Sequence, residues 1–275
     1  MLSTPRLIVI RSVVDYDLVR VMKIIFNQTF HDSNYADNGA AVEGRMEAAI
    51  RDVQGDPDFE MTTCVAATPE DILRVHDLDY FQTIQKDTKL FDMAMLAAGG
   101  AIYAAKIAYD GEPAFAAIRP PGHHASRASS WGSCYFSNMA VALCALKDQG
   151  KIERAFVIDF DAHTGDGTLD IFSKKPGLKA YNPYAPDPKN YIEDVRERLE
   201  QAGGVDIIAV CAGFDSYKKD LGKKLGTLDF YQIGSLVKRY ANRYCAGRRF
   251  AVLEGGYYLP DLGKNVHAFC QGMDD

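Results

Sequence analysis

Six short apolar runs punctuate this chain, with helix-patterned segments between them, and that alternation is the strongest restriction on how it folds. The runs are Arg6 to Ile10, Thr62 to Ala66, Ala114 to Ile118, Arg154 to Phe160, Asp206 to Cys211 and Arg249 to Leu253. Between them, apolar residues recur at helical spacing at Val42, Met46, Ala49, Ile50 and Val53, and again at Ile233, Leu236, Val237 and Tyr240. Strands joined through helices pair in parallel and need cover on both faces. The pattern therefore predicts an α/β fold of three layers around a mostly parallel sheet. Thr68-Pro69-Glu70-Asp71 reads as a helix start. Met93 to Ala105 is apolar and uncharged but shorter than a bilayer requires, so a buried helix is expected there, with Gly99-Gly100 permitting a close neighbour. Lys174 to Asn190 carries four prolines and reads as an irregular crossover holding a short strand near Leu178 to Tyr181.

The carboxyl ends of these runs carry the chemistry. Arg154 to Phe160 leads into Asp159-Phe160-Asp161-Ala162-His163, where period-two alternation puts Asp159, Asp161 and His163 on one side. Ionisable groups aimed at one point repel or lose solvation unless something cationic compensates them. On spacing alone, an Asp-x-Asp at a strand end also serves as a turn former or a helix cap. Asp215 ends a second strand, in Ala212-Gly213-Phe214-Asp215, the place where open parallel sheets bind ligands. Asp161, His163 and Asp215 would make three protein ligands and leave a fourth position for water, the arrangement of a hydrolytic metal. Carboxylate and imidazole together suit zinc, iron or cobalt better than magnesium, and no Cys-x-x-Cys suggests a structural site. Past a third strand, His123-His124 on the Pro120-Pro121-Gly122 turn suggests acid/base work.

Five ordered segments resemble the histone deacetylase family, the zinc-dependent group that includes acetylpolyamine amidohydrolases. They are Arg119-Pro-Pro-Gly-His-His-Ala125, Trp131-Gly-Ser-Cys-Tyr-Phe-Ser-Asn138, Asp159-Phe-Asp-Ala-His-Thr-Gly-Asp-Gly-Thr168, Ala212-Gly-Phe-Asp-Ser216 and Leu253-Glu-Gly-Gly-Tyr257. The likeness runs from about Glu43 to Leu259, with His76-Asp-Leu-Asp-Tyr80 as an upstream structural element. It implies the three-layer α/β/α fold shared with arginases, one zinc ion per chain on Asp161, His163 and Asp215, and catalysis by His123 and His124. Asp159 and Asp166 match the carboxylates that orient those two histidines, and Tyr257 matches the tyrosine that hydrogen-bonds the substrate carbonyl. Potassium, held by Asp159 and nearby backbone carbonyls, is a structural ion of the family. Gly132, Ser133 and Gly256 are expected at the substrate channel, with Gly255 and Gly256 letting the backbone approach it. Ser133 stands where many members carry a phenylalanine wall, which implies a wider or more polar channel. Thr164, Ser137 and Tyr258 depart from the family pattern without touching a ligand or the histidine pair.

Composition is that of an ordinary globular enzyme. Across 275 residues, 47% are hydrophobic and 25% charged, and neither a linker nor an internal repeat divides them, so one catalytic domain spanning 1–275 is expected. A net charge of −6 argues against a nucleic-acid or anionic-membrane surface. Lys218-Lys219 and Lys223-Lys224 read as a solvated loop near the rim of the site. Six scattered cysteines, Cys64, Cys134, Cys144, Cys211, Cys245 and Cys270, fit buried thiols in a reducing cytoplasm. The run Leu7 to Ile10 is too short, and too soon followed by Arg11, to indicate a signal peptide or membrane anchor. Oligomeric state is not legible. The expected substrate is an N-acyl amine, acyl-lysine or acetylpolyamine. Two alternatives remain: an arginase-like ureohydrolase with two manganese ions, which needs more aspartates than Gly165 and a lone Asp215 provide, and a non-catalytic acyl-lysine binding protein.

Overall fold

The structure, a computed structural model, describes residues 21–274; the run at 6–10 lies outside them. Strands β1 (Met22–Ile25), β2 (Phe59–Thr62), β3 (Ala114–Ala116), β4 (Ala155–Asp159), β5 (Leu178–Tyr181), β6 (Ile207–Ala212) and β7 (Arg249–Leu253) form one sheet in the order β2-β1-β3-β7-β6-β4-β5. Every pairing is parallel. Helices α1 (Arg45–Ile50), α2 (Pro69–Leu73), α3 (Leu78–Gln85), α4 (Thr88–Tyr109), α5 (Asn138–Asp148), α6 (Asp166–Ser173), α7 (Pro188–Ala202), α8 (Thr227–Tyr244) and α9 (Leu259–Asp274) supply the crossovers. They pack in two groups, α2 to α6 in one and α1, α7, α8 and α9 in the other. This is the three-layer α/β/α arrangement that the alternating pattern predicts.

Two differences from the sequence pattern have physical causes. Strand β1 is hidden by Lys23, which interrupts its apolar run; the ammonium reaches Glu60 at 2.5 Å and Glu112 at 3.3 Å. Strand β2 ends at Thr62, where the apolar run at 62–66 was expected to begin. Beyond it the chain turns to α4, with Ala67 N–H donating to the Met95 carbonyl at 2.8 Å. A Cβ at Gly99 would run into the Val65 carbonyl and lie 2.7 Å from Ala67 N, so glycine permits this approach. The whole of α4 is long and apolar enough to cross a membrane by length and composition, yet two-thirds of its most apolar window (67%) is buried against the protein. The start at Thr68 is a capping box with Asp71, and β5 occupies the expected Leu178–Tyr181.

The core lies directly beneath the carboxyl ends of the central strands. Phe160 and Phe214, each one residue before a proposed ligand, point inward to meet Phe230 and Phe269 at centroid distances of 5.1 to 6.0 Å. The turn after β4 and the 3-10 turn Phe214–Ser216 after β6 thus send the rings down and the aspartates up. Each buried phenylalanine contributes about 1.5–3 kcal/mol and fixes the neighbour that faces the cleft.

His76-Asp-Leu-Asp-Tyr80 is structural, as expected. His76 Nε2 accepts the Ser137 N–H at 2.9 Å, and the Tyr80 hydroxyl reaches the Tyr135 carbonyl at 2.6 Å and Ser130 Oγ at 2.8 Å. The pair pins the loop holding residues 130–137. Burial pushes the His76 pKa from its ordinary 6.5 down to about 4. Between those values the unfolded chain carries the extra proton, so stability is full above pH 6.5 and declines as pH falls toward 4. At pH 4.5 the loss is roughly 2–3 kcal/mol. In His76→Gln, urea unfolding free energies at pH 7 and pH 4.5 should differ by that much less than in the wild type; equal differences would remove His76 from the acid response.

Candidate active site

Four neighbouring strands, β3, β7, β6 and β4, deliver their carboxyl ends to one cleft. From β4 comes Asp161, whose Oδ1 accepts the His163 N–H at 2.9 Å and whose Oδ2 accepts the Gly255 N–H at 2.8 Å. From β6 comes Asp215, fully buried, with Oδ1 accepting the Ala162 N–H at 3.0 Å. Its Oδ2 is reached by no backbone N–H, and among the described residues the ion-pair partner is His163 Nδ1, at 3.1 Å. The same Nδ1 is 3.0 Å from Asp161 Oδ1. Ligand atoms of Asp161, His163 and Asp215 all lie within 4.8 Å of one another, the spacing of a metal site.

Electrostatics supports the same conclusion. Hydrogen bonds to Asp161 and Asp215 raise the His163 pKa to about 10. Burial, and then the Asp161 charge, raise Asp215 to about 6. Burial also opposes charge on Asp161, but His123 and His163 outweigh it and hold that carboxyl below the ordinary range. Two buried carboxylates around one imidazole nitrogen call for a cation, either a proton or a metal. A side chain at Gly255 would fill this cradle, since its Cβ would lie 2.6 Å from Asp161 Oδ2 and 2.7 Å from Asp215 Oδ2.

The histidine pair sits beside the cradle. His123 Nδ1 is 3.1 Å from Asp159 Oδ2, and His124 Nδ1 is 2.7 Å from Asp166 Oδ1. Burial disfavours charge on His123, but Asp161 and Asp159 outweigh it and raise its pKa well above the ordinary range. For His124, burial and then the His123 charge prevail over Asp166, and its pKa falls. Two adjacent imidazoles are thereby driven apart, one held charged and the other neutral.

A cavity of about 260 Å³ opens above these groups, lined by His123, His124, His163, Tyr257, Gly132 and Ser133 among others. Gly255 lines it and Gly256 does not. A Cβ at Gly256 would face Leu262 and Phe214, and its carbonyl accepts Arg45 Nε at 2.9 Å behind the wall. Leu221, 61% exposed, makes the rim of the Lys218–Lys224 loop, while Lys219 is tied to Asp261 at 2.8 Å. A larger groove, about 580 Å³, follows edge strand β5 without converging acid/base groups.

Supporting residues carry no motif-level signal of their own role. Glu254 Oε2 accepts the backbone N–H groups of Gly122 and His123 at 2.7 and 3.1 Å, and so shapes the histidine turn. Asp220 Oδ2 accepts the N–H groups of both Tyr257 and Tyr258 at 2.6 Å. Arg45, fully buried, donates to the Glu254 and Gly256 carbonyls. These long-range ties join residues more than 35 positions apart, which local patterning cannot reveal. A second grouping, His123, Cys134 and Glu254, could offer metal-ligand atoms within 4.8 Å of one another. Asp159 engages its imidazole and backbone N–H groups engage its carboxylate, while burial raises the Cys134 pKa well above the ordinary range, so it serves as support.

The chain matches the model of the histone deacetylase domain in two stretches, residues 40–203 and 187–273. It is 29% identical to a probable deacetylase of Archaeoglobus fulgidus over 92% of this chain and 87% of that protein. It is 28% identical to a histone deacetylase-like amidohydrolase of Pseudomonas aeruginosa over 81% of this chain and 73% of that one. Its fold superposes on the crystal structure of the HDA15 HD domain with a TM-score of 0.82, at 18% identity, covering 92% of this chain and 89% of the other.

The cradle generates a prediction that needs no substrate. With Nδ1 of His163 protonated at neutral pH, uptake of a divalent ion there should release about one proton. Calorimetric zinc titration in two buffers of different ionisation enthalpy measures this number. Asp215→Asn should weaken uptake at least about tenfold, and unchanged affinity would place the ion elsewhere.

Proposed function

The chain belongs to the histone deacetylase family and is a hydrolase acting on acyl amides, and from that premise we propose that it is a zinc-dependent deacylase of N-acyl amines, of the acyl-lysine or acylated-polyamine kind. The observation that carries the reading is the convergence of the buried Asp161 and Asp215 carboxylates on one His163 nitrogen, with Asp215 Oδ2 reached by no backbone N–H. Two carboxylates and one imidazole make a donor set that fits zinc. When bound, the ion supplies Lewis acidity toward the amide carbonyl and lowers the pKa of water.

The family's potassium ion would be held by Asp159 and backbone carbonyls around Asp161 and His163. Both Asp159 oxygens are engaged, by His123 and by the Asp161 N–H at 3.1 Å. The Asp159 carbonyl also accepts Asn182 Nδ2 at 3.2 Å, and the Phe160 carbonyl accepts Ser216 Oγ at 2.6 Å. No step is assigned to that ion.

The chain's own groups divide the proton work. His124, neutral and backed by Asp166 at Nδ1, takes the proton of the attacking water on Nε2 and later delivers it to the departing amine. Such a relay contributes about 10²–10⁴-fold. His123, oriented by Asp159 at Nδ1, stabilises negative charge as it gathers on the former carbonyl. Tyr257, with its pKa raised by burial, keeps its proton and donates an O–H bond to that oxygen. Asp220 fixes the backbone from which the tyrosine projects. The extra aspartate of a ureohydrolase is not accommodated at Gly165 without rearrangement, since a Cβ there would collide with Asp159 Oδ2.

A panel of acetyl-lysine, longer acyl-lysine and acetylpolyamine amides at controlled metal content tests the proposal. Turnover should require one zinc per chain, stop with a hydroxamate, and disappear in His124→Ala. Tyr257→Phe should lower kcat by roughly 10²–10³-fold with zinc content unchanged. Full turnover after chelation, or in Tyr257→Phe, contradicts the mechanism.

A further inference from the structure

The two carboxylates behind the histidine pair occupy unequal environments. The side chain of Asp159 is 1% exposed, whereas that of Asp166 is 52% exposed. A carboxylate in contact with water is a poor orienting group, because water competes for its oxygens and the side chain rotates freely. Asp166 nevertheless holds His124 Nδ1 at 2.7 Å, and its second oxygen accepts Trp131 Nε1–H at 2.9 Å. The indole also lies on the His124 ring, with centroids 3.7 Å apart and planes 30° apart.

Core packing does not account for this placement, since Trp131 is 53% exposed. The backbone beside it is committed to the arrangement: Gly132 has φ +61° and Ser133, which is not a glycine, has φ +67°. A Cβ at Gly132 would lie 2.6 Å from His124 Cδ2, so this turn brings the chain directly over the imidazole. Left-handed backbone at a non-glycine residue persists where surrounding structure holds it. Here the Cys134 N–H donates to the Trp131 carbonyl at 3.1 Å, and Tyr80 anchors Ser130 and Tyr135 on either side. Trp131, Gly132 and Ser133 all line the cavity, and Ser133 offers only a short side chain there.

We propose that Trp131 is a positioning residue for the reaction and the principal wall of the acyl channel. Its N–H fixes Asp166, its ring fixes His124, and the same ring supplies the surface that Ser133 leaves open. This inference rests on the hydrolase reading above. It assigns to one half-exposed indole both the aim of the proton-transferring imidazole and the width of the entrance.

Trp131 is the chain's one tryptophan, so its indole N–H gives a single signal in a ¹⁵N spectrum. That signal should be shifted by the carboxylate and should move in Asp166→Asn, with or without zinc bound. In the zinc-loaded enzyme, Trp131→Phe retains a ring and loses the donor, so kcat should fall about tenfold while KM changes by less than about threefold. Trp131→Ala also removes the wall; kcat should fall further, KM should rise, and the penalty should shrink for bulkier acyl groups. Unfolding temperatures and zinc content, expected unchanged, separate these effects from loss of fold. Wild-type kcat in Trp131→Phe, or an indole signal indifferent to Asp166→Asn, overturns the proposal while the wild type remains an active hydrolase. A wild type inert toward every acyl amide defeats the hydrolase reading, and this inference with it.

Discussion

Four carboxylates are packed into one edge of the sheet. Asp159, Asp161, Asp215 and Glu254 are all buried, and left alone they would repel one another in a medium that screens poorly. The strain is visible in Glu254, which burial pushes up to about 7, as well as in Asp215. Relief comes from backbone N–H groups at the ends of the central strands and from the His123 and His163 imidazoles. Gly255 donates to Asp161, Ala162 to Asp215, and Gly122 and His123 to Glu254. The strand ends therefore stabilise the very charges that a cation-dependent site requires.

That constraint explains why the centre of the site was legible in the sequence. Asp161, His163 and Asp215 each follow an apolar strand, and the buried rings of Phe160 and Phe214 beside them anchor the turns from which they face the cleft. The fold class followed from the same runs. Strand β1 was not legible because Lys23 breaks its pattern, its charge being answered by Glu60 and Glu112 from elsewhere in the chain. Strand β2 was misplaced because an apolar stretch, Thr63 to Ala67, leaves the ladder for α4. Glu254, Asp220 and Arg45 act through tertiary hydrogen bonds to backbone, and no local spacing encodes them.

Of the chain's departures from its family, Ser133 lines the channel cavity, and neither Thr164, Ser137 nor Tyr258 does. Ser133 narrows nothing, Tyr258 packs against Tyr217 outside the reacting groups, and Ser137 serves the His76 anchor through its backbone. The cradle is built from strand ends, whereas the short loop pinned to α3 lines the cavity and also reaches Asp166 behind His124 through Trp131. Such a loop can vary at Ser133 without touching the backbone N–H groups that hold the Asp161 and Asp215 carboxylates.

Helix α4 imposes a different demand, one that acts before the enzyme exists. It packs against β3, which follows it at once, but also against β7, which begins at Arg249. On a ribosome adding about 5–20 residues per second, its final cover arrives on the order of ten seconds after α4 has emerged. Throughout that interval a segment apolar enough to resemble a membrane span stands incompletely sheathed. Cover in that interval has to come from provisional packing of α4 onto β1, β3 and α5, all of which are synthesised before β7.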